Sequence, residues 1–100
     1  MASSRTKALA IPKSVKDRVY ERDKGRCILC GRLGYPNAHF IARSQSGLGI
    51  EQNVVTLCPD CHADYDQSPL RKEYRELIRA YLRRQYPDWD ESKLIYRKGM

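Results

Sequence analysis

The cysteines and histidines of this chain fall into one frame: Cys27-x-x-Cys30, His39, Asn53, then Cys58-x-x-Cys61-His62. Four thiolates suit a tetrahedral zinc ion, and a two-residue gap lets both sulfurs of one knuckle reach the same ion. One ion held by both pairs pins the two ends of residues 31–57. Zinc binding contributes about 10–16 kcal/mol in small peptides, as much as the whole stability of a typical domain. A redox pair or an iron–sulfur cluster also uses cysteine, but neither the spacing nor the context favours them. An ion closed by four sulfurs has no open position and is structural. His39 and His62 stand beside that set. A neutral imidazole can take a proton near neutral pH or ligate a metal, and His62 could instead replace a sulfur in a Cys3His site.

The chain must build a domain to hold these groups. One hundred residues make a single domain. With one Phe and one Trp, large core residues are few, and a small domain of this kind needs a staple. Lys and Arg number 19 against 12 acids, a formal charge of +7. That excess suits a polyanion, nucleic acid first, although a solvated basic surface has the same balance. No apolar run approaches the roughly 18–20 residues of a membrane span. Met1 to Ala10 lacks the continuous apolar region of a secretory signal. A cytoplasmic chain is therefore expected. There, paired C-x-x-C units are metal sites more often than disulfides.

Residues 1–10 are small, polar and basic, and a mobile tail is expected, with one domain over 11–100. Ser14 and Asp17 resemble a capping box, which predicts a helix over Val15 to Arg22 with Ile11, Val15 and Val19 facing the core. Asp23-Lys-Gly25 is a turn signal. Gly31 and Gly34 allow backbone to wrap a metal closely. Asn37 to Ala42 and Asn53 to Leu57 read as two extended pieces joined by a Gly-containing loop. Pro59 can start a helix after Cys58 that carries Cys61, His62, Tyr65 and Asp66. Ser68-Pro69 predicts a second start, with Leu70, Tyr74, Leu77, Ile78, Tyr81 and Leu82 at helical spacing and an end before Pro87. Asp88 to Glu91 reads as another capping box, starting a short helix through Leu94, Ile95 and Tyr96. Residues 68–98 thus form a helical extension.

Three segments together resemble the HNH endonuclease family of the ββα-metal superfamily, in its small phage-encoded form. They are Arg22-Asp-Lys-Gly-Arg-Cys-Ile-Leu-Cys-Gly31, Ala38-His-Phe-Ile-Ala-Arg-Ser44 and Gln52-Asn-Val-Val-Thr-Leu-Cys-Pro-Asp-Cys-His62. The resemblance spans residues 22–66, about half the chain. It implies an α+β fold: a ββα-metal core with flanking helices, stapled by Cys27, Cys30, Cys58 and Cys61 on structural zinc. It makes His39 the general base, Asn53 the residue that steadies the loop and the base or helps bind metal, and His62 a ligand of a catalytic divalent ion (Mg2+, Mn2+ or Ni2+). It implies DNA hydrolysis to 5′-phosphate and 3′-hydroxyl ends, and a setting beside phage terminase or packaging proteins.

Two positions depart from the family pattern. The residue before the base is usually Asp or His and binds the ion; here it is Ala38, which cannot. Asp66, four residues after His62, shares its helix face and is the candidate second ligand. Ala42 replaces a common Pro. Arg43, and Arg75 and Arg79 on the basic helix, are candidates for DNA contact. The rivals are a non-catalytic zinc-stapled nucleic-acid-binding module, with Ala38 the mark of lost chemistry, and a protein-interaction module.

Overall fold

The computed structural model describes residues 3–97. The chain runs α1 (Ser4–Leu9), α2 (Lys13–Arg22), β1 (Tyr35–His39), β2 (Val54–Leu57), α3 (Pro59–Gln67) and α4 (Arg71–Gln85), with 3₁₀ turns at Arg43–Gln45, Glu51–Asn53 and Glu91–Leu94. It is a small α+β domain with one antiparallel two-stranded sheet. Ala38 lies opposite Val55 and His39 opposite Val54.

β2 is Val-Val-Thr-Leu, β-branched at three positions, and every residue in it is buried. A strand buried along its whole length needs cover on both faces. Val15 and Val19 of α2 pack with Val54. Val55 and Leu57 join Phe40, Tyr65, Ile78, Leu82 and Leu94 in the larger core. Phe40 lies edge-on to Trp89, ring centroids 5.7 Å apart, a favoured aromatic geometry. α4 buries Ile78 and Leu82; Leu70 and Leu77, assigned to the same stripe by spacing, are 41% and 56% exposed.

Several element ends differ from expectation for local reasons. α2 begins at Lys13, because the Pro12 carbonyl accepts from both Val15 and Lys16 N–H. Ser14 is thus already inside the helix, and Asp17 pairs with Lys13 at 2.8 Å instead of closing a box. The strand expected over Asn37 to Ala42 occupies Tyr35–His39. α4 starts at Arg71, two residues after Pro69. Near the C-terminus, Asp90 rather than Asp88 caps, accepting from Ser92 N–H, and the helix is one 3₁₀ turn ending at Leu94. Residue 98, the end of the expected extension, lies outside the described residues.

The largest departure is at the N-terminus, where a mobile tail is expected. Ser4–Leu9 form α1, capped by the Ser3 side chain on Thr6 N–H. Leu9 is 1% exposed, and Gly49 N–H donates to Ala8 O at 2.9 Å. One buried leucine and backbone pairing hold down a segment whose composition is otherwise that of a tail.

A charged hub ties α2 to β2 and α4. Arg22 donates to both Asp23 carboxylate oxygens (2.7 and 3.0 Å), to Glu51 O (2.8 Å), to Val54 O (2.8 Å) and to the Tyr86 hydroxyl (3.0 Å). The Asp23 side chain is fully buried; it also accepts from Thr56 N–H at 2.9 Å and from the Tyr81 hydroxyl. Burial opposes the Arg22 charge, but Asp23 and Tyr86 more than compensate and hold the guanidinium protonated. Removing one partner of a buried pair leaves the other uncompensated, at a cost of about 3–5 kcal/mol. Asp23→Ala is therefore expected to lower unfolding free energy by about that amount, measured by guanidinium denaturation of metal-loaded protein. A loss under about 1 kcal/mol, the range of an exposed pair, would contradict the hub's role.

Candidate functional site

The cysteine frame closes in space. The Sγ atoms of Cys27, Cys30, Cys58 and Cys61 all lie within 4.8 Å of one another, and those of Cys30 and Cys58 are 3.5 Å apart. Four sulfurs about 2.3 Å from one zinc in a tetrahedron are separated by about 3.8 Å, so the cluster could hold a metal ion. The first knuckle turns on Gly31, at φ +82, whose N–H donates to Cys27 O at 2.9 Å. Ile28 N–H donates to Thr56 O at 3.1 Å and so fastens the knuckle to β2. In the second, Cys58 is the N-cap of α3: its sulfur accepts from Cys61 N–H.

Crowding makes the sulfurs unequal. Burial opposes ionisation of Cys27, yet backbone groups of Cys58, Cys30 and Leu29 bring its thiol down to about 7. Burial and the neighbouring sulfurs push Cys61 far above the ordinary thiol range. Thiolates this close repel one another, and a bound cation would offset that charge.

α3 leads from that cluster into a second site. His62 and Asp66 sit one turn apart, with Nε2 and Oδ2 separated by 3.7 Å. Two ligand atoms each about 2.0–2.2 Å from one ion lie about 2.8–3.6 Å apart for right-angle to tetrahedral geometry. The pair therefore fits one divalent ion after a small side-chain rotation. Both remain open to solvent, 32% and 59% exposed at the side chain.

His39, at the end of β1, faces the same space. His39, His62, Asp66, Asn37, Arg43 and Arg71 line one open pocket of about 280 Å3. His39 Nε2 is 2.9 Å from Leu9 O. A carbonyl can only accept, so Nε2 carries the hydrogen in the neutral ring and Nδ1 keeps its lone pair. Burial, chiefly, holds the His39 pKa below its usual value; the charges of Arg43 and His62 add to that, while the Leu9 bond works against it. A ring that stays neutral at lower pH is available as a proton acceptor over a wider range.

Asn53 is brought near but engaged elsewhere. It is fully buried; Oδ1 accepts from Ile41 N–H at 2.8 Å, and Nδ2 donates to Leu48 O at 2.8 Å and Ile41 O at 3.2 Å. Its side chain fastens the loop between the strands, and its own carbonyl accepts from Phe40 N–H at 2.7 Å. Of the roles the resemblance offered, loop-steadying is the one its bonds perform here. Ala38, opposite Val55, is fully buried in the core, so residue 38 offers nothing to the pocket.

Arg75 and Arg79, offered to DNA on sequence grounds, turn inward. Arg79 donates to both Glu91 carboxylate oxygens (2.7 and 3.2 Å) and to Glu76. Arg75 reaches Glu91 at 3.5 Å, and both guanidiniums lie over the Phe40 ring. They bind the C-terminal segment to α4. Arg43, and Arg71 of α4, line the pocket. Asn37 was not singled out from sequence, although it lies two residues before His39 and so shares its face of β1. The Leu9 carbonyl carries no side-chain signal.

No protein-family model matches the chain. Anaredoxin from Nostoc sp. is 28% identical to it over 61 residues, which cover 59% of this chain and 80% of that protein. Among the described residues no helix is long and apolar enough to cross a membrane.

Proposed function

We propose that the chain is a metal-dependent endonuclease of HNH type that hydrolyses DNA phosphodiester bonds. The observation that carries this reading is the convergence of His39, His62 and Asp66 with Arg43 and Arg71 on one open pocket. His62 and Asp66 would hold a divalent ion, which when bound would supply polarisation of the scissile phosphate and stabilisation of the leaving oxygen. Arg43 and Arg71 neutralise the phosphate. His39 takes a proton from the attacking water at Nδ1. One or two side-chain ligands with substrate phosphate can suffice to bind a divalent ion in phosphoryl-transfer sites, so a ligand from residue 38 would not be required. DNA binding is salt-sensitive, because the arginines release counterions.

Asp66 gives the sharpest test. In a labelled-duplex cleavage assay titrated with Mg2+ or Mn2+, Asp66→Ala is expected to raise the metal concentration for half-maximal rate by at least about tenfold. An unchanged titration in a cleaving protein contradicts the assignment. The buried Ala38 favours a second reading, a zinc-stapled nucleic-acid-binding module without chemistry; salt-sensitive DNA binding with no cleavage in any divalent metal selects it.

The ion we assign to the four cysteines is zinc. Tetrahedral sulfur also suits iron, which is the alternative. Elemental analysis with the absorption spectrum separates them: zinc–thiolate is colourless, whereas iron–thiolate absorbs in the visible.

A further inference from the structure

The base is oriented by a backbone group outside the ββα unit. The carbonyl on His39 Nε2 belongs to Leu9, the last residue of α1. That carbonyl is held from several directions. Leu9 is buried, Gly49 N–H donates to Ala8 O, and Arg5 donates to the Ser46 hydroxyl at 3.2 Å. The approach at Gly49 is close: a Cβ there would lie 1.9 Å from Ala10 O. The loop that receives α1 is the one that Asn53 fastens through Ile41 and Leu48. Loop, N-terminal segment and imidazole therefore form one connected support.

We propose that residues 3–10 are a built-in positioning element of the site, whose Leu9 carbonyl sets the tautomer and orientation of His39. With the carbonyl in place, hydrogen stays on Nε2 and Nδ1 is the accepting nitrogen. Without it, both tautomers populate and the ring turns. This rests on the nuclease reading for its catalytic consequence, but not for its structural one. Neither Leu9 nor Gly49 lines the pocket, and Leu9 O reaches it through His39.

The test uses the full-length, metal-loaded chain and two variants that dislodge the segment from opposite sides. Gly49→Ala places a methyl on Ala10 O; Leu9→Asp puts a charge in the buried anchor site. Two-bond 1H–15N correlation of the imidazoles, recorded where His39 is neutral, reads the tautomer. Wild type is expected to show the Nε2–H form at His39, and each variant that keeps the native far-UV circular dichroism a mixture. The cleavage kcat is expected to fall about tenfold or more, the scale of losing a group that orients a functional histidine, with KM for DNA little changed. A variant whose tautomer and kcat both stay as in wild type, or an Nδ1–H tautomer in wild type, overturns the proposal. Tautomer loss in the variants of a protein that cleaves nothing leaves the positioning role standing and removes the nuclease reading alone.

Discussion

Cys58→Ser, or stripping the bound metal with a strong chelator, is expected to abolish the cooperative thermal transition of this protein. Cys58 makes the case cleanly, because serine is itself a good N-cap. The substitution keeps an acceptor for Cys61 N–H at the start of α3 and removes only the thiolate. The metal contributes about 10–16 kcal/mol in comparable small sites, against the 5–15 kcal/mol of a whole native domain. The core that remains includes a sheet of only two strands, which is marginal on its own. The second site falls with the first, since α3 carries His62 and Asp66 from the turn that Cys58 begins. Scanning calorimetry with and without chelator reads this directly. An unchanged, cooperative melt in the metal-free chain would show that the cysteines pack as small hydrophobes and hold nothing together.

His39→Ala is expected to lower kcat for DNA cleavage by about 10²–10⁴-fold, the usual contribution of a positioned general base, while affinity for DNA stays close to wild type. The proposed metal ligands His62 and Asp66, and Arg43 and Arg71, are untouched, so binding and catalysis are expected to separate. The pH profile of the wild type carries the same signature. The base must be neutral, and burial holds its pKa below 6.5. The rate limited by His39 therefore rises with pH through a midpoint below that value and is level above it. A midpoint above 6.5, or a profile that His39→Ala leaves in place, assigns the proton to another group.

The local parts of the site were legible in the residues. Two C-x-x-C pairs are short-range geometry, and the i, i+4 relation of His62 and Asp66 follows from helical pitch once Pro59 starts α3. β2 could be placed, because Val54 to Leu57 is β-branched, whereas β1, expected around the apolar Phe40-Ile41, lies earlier at Tyr35–His39. Contacts distant in sequence were not legible. Arg75 and Arg79 count as free charges on a helix until Glu91, beyond Pro87, is folded back onto them. Arg22 and Asp23 read as a helix end and a turn, yet the turn brings their side chains together at a buried junction with Tyr81 and Tyr86. α1 has the composition of a tail, and its place depends on Leu9 and on backbone groups that no residue type announces. The same holds for the Leu9 carbonyl: a histidine's orienting partner is invisible when it is main chain.

Relaxation of supercoiled plasmid tests the central claim most directly. Metal-loaded wild type is incubated with Mg2+, Mn2+ or Ni2+ beside His39→Ala prepared identically. Wild type is expected to convert supercoiled DNA to nicked or linear forms only when a divalent ion is added, and His39→Ala to leave it supercoiled. Equal relaxation by both proteins, or none by wild type with any of the three ions, contradicts the assignment of the His39, His62 and Asp66 pocket to phosphodiester hydrolysis.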